Sequence, residues 1–187
     1  MLGGSEKLEA RESVLYNANP ENILRNRNEK HMDPQKEELL KMMSWDASIQ
    51  SKRKALNLAL QQADFEFLIL PKAHFNSWDF CANVFFLLSD EELQPYLFQL
   101  FAWLEDLNWP GAEKLELRLL EVSPEKLCSP LEQVVEQAVR EGKRYWIENL
   151  ARFWGTAPLT NQFSQHTRML LQQAGVRLPG APGAGVV

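Results

Sequence analysis

The sequence has few of the residues that mark a secreted, metal-bound or membrane-embedded chain. Cysteine occurs only at Cys81 and Cys128, which supplies neither a disulfide framework nor a four-thiolate zinc site. Histidine occurs only at His31, His74 and His166, none in an HExxH or HxH spacing, so no metal centre is expected. Long apolar runs are missing, because residues 67–70 and 100–104 fall far below the roughly 18 residues of a membrane helix. The opening MLGGSEKLEA lacks the apolar core of a secretory signal, which makes the cytoplasm the expected compartment. There is no Walker loop, GxGxxG or GxSxG, so neither a cofactor nor a hydrolase nucleophile is expected. Basic charge is scarce in the middle of the chain. Residues 61–125 hold 3 basic and 12 acidic side chains, against 10 and 9 in residues 1–60 and 7 and 4 in residues 126–187. A middle so poor in Lys and Arg disfavours nucleic acid and anionic membranes as partners.

What is present is a globular composition, 45% apolar and 24% charged, arranged at helical spacing. Residues 1–32 are polar and include five Asn between positions 17 and 28, which reads as a loosely ordered lead-in. The ending PGAPGAGVV, residues 179–187, has no hydrophobic period, leaving residues 33–178 as the ordered domain. Asp33-Pro34 opens one helix. Ser89 followed by Glu92 forms a capping box ahead of the stripe Leu93, Leu97, Leu100, Phe101 and Leu104. Ser123-Pro124 opens another helix, with Ser129-Pro130 as a candidate break and Gly142 as its stop. The run FEFLILP at 65–71 reads as a helical turn ended by Pro71.

Trp45, Trp78 and Trp109 recur at intervals of 33 and 31 residues, within the range of helical-hairpin repeats. Their contexts are SWDAS, SWDFC and NWPGA. Ser44, Ser77 or Asn108 stands before each Trp as an expected cap, and a helix is expected to begin at each ring, which plugs the corner of a hairpin. Asn108, Pro110 and Gly111 then form the tight entry to the central hairpin, with Pro110 in the first helical turn. Trp146 is a candidate degenerate fourth copy. The fold expected is all-α, a HEAT-like α-α superhelix of about three to four hairpins.

The motif AWLEDLNWPGAEKLELRLL at 102–120, which contains Trp103 and Trp109, and the preceding SDEELQPYLFQLF resemble a mainly bacterial family catalogued as domain of unknown function 5071. The resemblance is strongest over residues 78–120 and weaker from 39 to 154. It implies a small HEAT-type solenoid and brings no established activity. GKRYW at 142–146 departs from the acidic-then-Trp pattern the family leads one to expect at the last repeat.

The candidate chemistry is correspondingly plain. Cys81 falls in the small-residue column behind a Trp and is expected as a packed thiol. Asp46, Asp79, Glu105 and Asp106 sit where helix starts favour carboxylates, and that favours capping over acid–base work. The functional expectation is a protein-binding module engaging a basic protein partner through acidic residues of the middle third, with Glu91, Glu92, Glu105, Asp106, Glu113 and Glu116 as its contacts. The alternative is a HEAT-like enzyme acting on nucleic acid, of the DNA glycosylase type, although the shortage of groove lysines and arginines counts against it.

Overall fold

A computed structural model describes residues 32–154 and 162–176 of the chain. Two compact units divide between Glu37 and Glu38; most of the first, and the expected lead-in 1–32 apart from Met32, lies outside the described residues. Every regular element among the described residues is helical, and no strand occurs among them. None of those helices is long and apolar enough to cross a membrane.

Helix α1 (Pro34–Met42) starts behind Asp33, whose Oδ1 accepts the Gln35 N–H at 2.8 Å. Helix α2 (Ile49–Ala59) is capped by Ser48 rather than started at Trp45. Two short 3-10 turns, Glu66–Leu68 and Lys72–Ser77, then lead into α3 (Trp78–Leu87). The first of them is the helical turn expected before Pro71. The Ser89 capping box forms as the sequence implies, yet the helix it starts is not continuous. Pro95 lacks the N–H that would bond one turn back, and α4 (Asp90–Leu93) passes through a 3-10 turn (Gln94–Tyr96) into α5 (Leu97–Trp103). Helix α6 (Ala112–Glu121) is followed by α7 (Pro124–Arg140), which starts at Ser123-Pro124 and carries Pro130 inside it without a break. Helix α7 stops where expected. Gly142, at φ +66°, lets its own N–H reach the Val139 carbonyl and the Lys143 N–H reach that of Ala138, the double closure that satisfies the last carbonyls of a helix. Helices α8 (Arg144–Trp154) and α9 (Gln165–Gln173) complete the described chain.

Within the second unit α3 packs on α6, α5 on α7, and both α8 and α9 on α7. Helices α3 and α5 thus each meet a counterpart about one hairpin later. Polar bonds follow the same interval: Lys114 to Asp79 at 2.8 Å on α6 and α3, Lys126 to Glu91 at 2.6 Å on α7 and α4, and Arg152 to Glu116 at 2.7 Å on α8 and α6. The aliphatic core between them is fully buried at Leu93, Leu97, Leu100, Leu115, Leu119, Leu131 and Val134. Cys81 sits in it against Ser77 and Met43, and burial pushes its thiol up to about 12.

The expectation of one helix per tryptophan is corrected in two of three places. Only Trp78 starts a helix. Trp45 is 67% exposed, because α2 does not begin until Ile49 and the ring is left outside the hairpin. Ser44 caps nothing; its Oγ bonds to Asp46 and accepts from Asn76 Nδ2 at 2.6 Å. Ser77 stands at the helix start but donates to the His74 carbonyl instead of capping. Asn108 is likewise no cap, and Pro110 lies outside the helix. The residue at the start of α6 is Gly111, at φ +85°. A Cβ there would stand 2.5 Å from that of Ala82 and 3.2 Å from the Trp78 carbonyl, so α3 and α6 approach as only glycine permits.

Gly111→Ala combines a left-handed backbone with that overlap, and a loss of roughly 2 to 4 kcal/mol is expected in urea denaturation. A loss below about 1 kcal/mol would show that α6 can retreat from α3 freely. A second expectation concerns Arg118, nearly buried, which donates to the Leu88 carbonyl at 2.9 Å and to Asp90 at 2.7 Å. The guanidinium holds the Asp90 carboxyl below the usual aspartate range. The contribution is therefore complete above the ordinary value of about 3.9 and is lost as pH falls through the lower folded value. Arg118→Met should melt at a lower temperature at pH 7 and lose less on acidification below pH about 4. An acid limb as steep as the parent's would exclude the pair as its source.

Candidate functional site

The segment 103–111 is anchored at both ends before it lines anything. Trp103 is fully buried and donates its indole N–H to the Pro110 carbonyl at 3.1 Å. Trp78 stacks edge-on against both Trp103, at 5.8 Å, and Trp109, at 5.6 Å, and donates to the Pro71 carbonyl. Between the anchors Asp106 Oδ1 accepts the backbone and side-chain N–H groups of Asn108, each at 2.9 Å. Such a side-chain turn holds the segment 105–109 without regular secondary structure.

Opposite it stands the start of α8. Trp146 is buried and donates to the Phe101 carbonyl at 3.1 Å, and Asn149 donates to the Leu104 carbonyl at 3.0 Å. Lys143 joins the two sides through Glu105 at 2.9 Å and also pairs with Glu141 on its own side at 2.8 Å, while its ammonium lies 5.3 Å from the Trp146 ring centre. Partial burial works against that ammonium, but the two carboxylates outweigh it and raise its pKa; the same pairing, with Gln137 assisting, brings Glu141 down against its own burial. Between the two sides opens a groove of about 670 Å³. Trp109, Asn108, Asp106, Arg144 and Tyr145 line its mouth. Trp109 is half-buried, whereas Tyr145 is 81% exposed.

The six acidic candidates do not form one free patch. Glu105 and Asp106 reach the groove. Glu91 is paired with Lys126, which holds its carboxyl below the usual range, and Glu92 is occupied by Ser89 in the capping box. Glu113 is exposed on α6. Glu116 is corrected outright: it is buried and takes two bonds of 2.7 Å from Arg152. The polar position read as an outer face is an inner one, because α8 covers it. Tyr145, Arg144, Lys143 and Asn149 were missed by sequence reasoning; the signal for the first three was GKRYW itself, a stop glycine followed by two bases and two aromatics. Of the histidines, His74 lies in the second 3-10 turn, His166 is exposed on α9, and His31 is outside the described residues. No group of three metal-ligating side chains converges among the described residues.

Compared with known proteins, a family model described as a domain of unknown function, DUF5071, matches residues 79–173, which takes in α3 to α9 and the whole groove. No curated protein and no solved structure matches the chain.

The two aromatics of the groove should separate on mutation. Trp109→Ala removes a ring packed on Trp78 and is expected to cost about 2 to 3 kcal/mol, less than a full core truncation. Tyr145→Ala should stay within about 0.5 kcal/mol, as exposed positions do. Equal losses in chemical denaturation would place Tyr145 in the core and remove it from the groove mouth.

Proposed function

Because the chain belongs to the DUF5071 family, which carries no assigned activity, we propose its role from the groove: a protein-binding helical-repeat module that takes a polypeptide segment between the 105–109 loop and the start of α8. The observation that carries this reading is the exposed Tyr145 beside a half-buried Trp109 and Arg144 at the mouth of a preformed groove. Tyr, Trp and Arg are the residue types that dominate binding energy at protein interfaces, where amphipathic rings give large contact at low entropic cost. The walls are held by buried tryptophans and backbone-directed bonds, so little ordering is required on binding. Attraction by acidity alone is less well supported, since Glu91, Glu105 and Glu116 are already matched by Lys126, Lys143 and Arg152.

A random peptide library displayed on phage, panned against the full chain and counter-selected on Tyr145→Ala, tests the proposal. Enrichment of a shared sequence that binds the parent at least about ten-fold more tightly than Tyr145→Ala is expected, with melting unchanged. No enrichment, or peptides that bind both alike, would overturn it. A reproducible turnover abolished by Asp106→Ala would put the enzyme reading in its place.

A further inference from the structure

Away from the groove, α3 and α6 carry a second exposed surface. Phe86 and Leu87 on α3 and Leu117 and Leu120 on α6 are exposed, Leu87 and Leu117 each by 55%. The two helices run parallel, since Lys114 meets Asp79 near their starts and Arg118 reaches the Leu88 carbonyl just past the end of α3. Outward positions repeat at an offset of 34 residues, so that Asp79, Asn83, Phe86 and Leu87 on α3 match Glu113, Leu117, Leu120 and Glu121 on α6. Spacings of three and four residues put each set on one face of its helix. The leucines of α6 therefore continue the apolar row of α3.

Helices α2 and α6 both pack on α3 and share no comparable contact, which leaves α3 between them. Ala55 and Ala59 are the buried residues of α2, and the face turned away from them holds Ile49, Arg53 and Leu60, all exposed. Its start is tied beside that of α3, where the Trp45 N–H donates to the Asn76 carbonyl at 3.0 Å.

Charge on this surface is split between its two edges. Arg53 and Lys54 on α2 make no ion pair among the described residues. Glu113 and Glu121 on α6 make none either, Arg152 being held by Glu116. An exposed apolar row with unmatched charge of opposite sign on either side is complementary to itself when turned over.

From that arrangement we infer that the face formed by α2, α3 and α6 binds a second copy of this chain as a two-fold dimer. The axis lies between the two faces and runs along α3. Phe86 and Leu87 then meet their own counterparts, while α2 of each copy lies on α6 of the other and sets Arg53 and Lys54 against Glu113 and Glu121 twice over. An axis running across α3 would instead lay α2 on α2, with its bases against themselves. A footprint three helices wide and about 15 Å long is at the small end for a dimer, so a micromolar equilibrium is expected.

Analytical ultracentrifugation of the full chain tests this with two variants of exposed residues, Arg53→Glu/Lys54→Glu and Glu113→Lys/Glu121→Lys. The parent should pass from monomer to dimer with rising concentration, and each variant alone should associate at least about ten-fold more weakly, with its helical spectrum unchanged. Mixed in equal amounts, the two variants should recover the dimer, because each then offers the charge the other lacks. A parent that stays monomeric up to about 100 μM, a dimer that neither variant weakens, or a mixture that does not pair would overturn the inference. A dimer lost in Tyr145→Ala instead would seat the second copy in the groove and overturn the axis along α3.

Discussion

The closeness of α3 to α6 at Gly111 is the constraint from which the site follows. Without a Cβ at that position the backbone meets Ala82 and the Trp78 carbonyl, and no other residue tolerates both the contact and the φ of +85°. The approach brings the Pro110 carbonyl under the Trp103 indole and lays Trp109 on Trp78. With both ends so pinned, the loop 105–109 has to pass over the start of α8, and the groove is the space left between them. Its shape is thus a consequence of helix packing rather than of loop sequence alone.

The charge distribution is explained by the same stacking. The acidic middle third is answered by bases that follow at the hairpin interval, so that Glu91, Glu105 and Glu116 meet Lys126, Lys143 and Arg152. Exposed pairs such as Lys114 with Asp79 contribute little stability, about 0 to 1 kcal/mol. Any value they have lies in register, since a helix that slid by a turn would part Lys114 from Asp79 and Lys126 from Glu91. Arg118 differs from them. Nearly buried, it ties the Leu88 carbonyl and Asp90 to α6, and loss of either partner would strand a desolvated group.

Local signals were legible from the sequence wherever the physics is local. The Ser89 capping box, the start at Ser123-Pro124 and the stop at Gly142 each depend on residues within one turn. The tryptophan interval was legible as well, but the roles of the rings were not. Trp45, Trp78 and Trp109 share a context, yet one is exposed, one buried and one between, because the helices after them begin at Ile49, Trp78 and Ala112. A turn longer by a few residues moves a ring from core to surface without changing its neighbours in sequence. Glu116 failed for a related reason. Its position on α6 is outward until α8, well beyond it in the chain, covers it. Tyr145 escaped notice because GKRYW reads in sequence only as a departure from the repeat, and it takes the opposing loop to make the ring part of a site.

These pairings also bear on what kind of recognition the groove can perform. Lys143 is matched by Glu105 and Glu141, and Arg144 by Glu148, so the charged groups at the mouth largely cancel beyond a Debye length of about 8 Å. Long-range steering by a field of one sign is therefore weak. Selection falls to the aromatic faces and to the few donors and acceptors still unmatched, of which the Trp109 indole is the clearest. Such contacts act only at short range and discriminate by shape, and a ligand that fits them need carry no charge of its own.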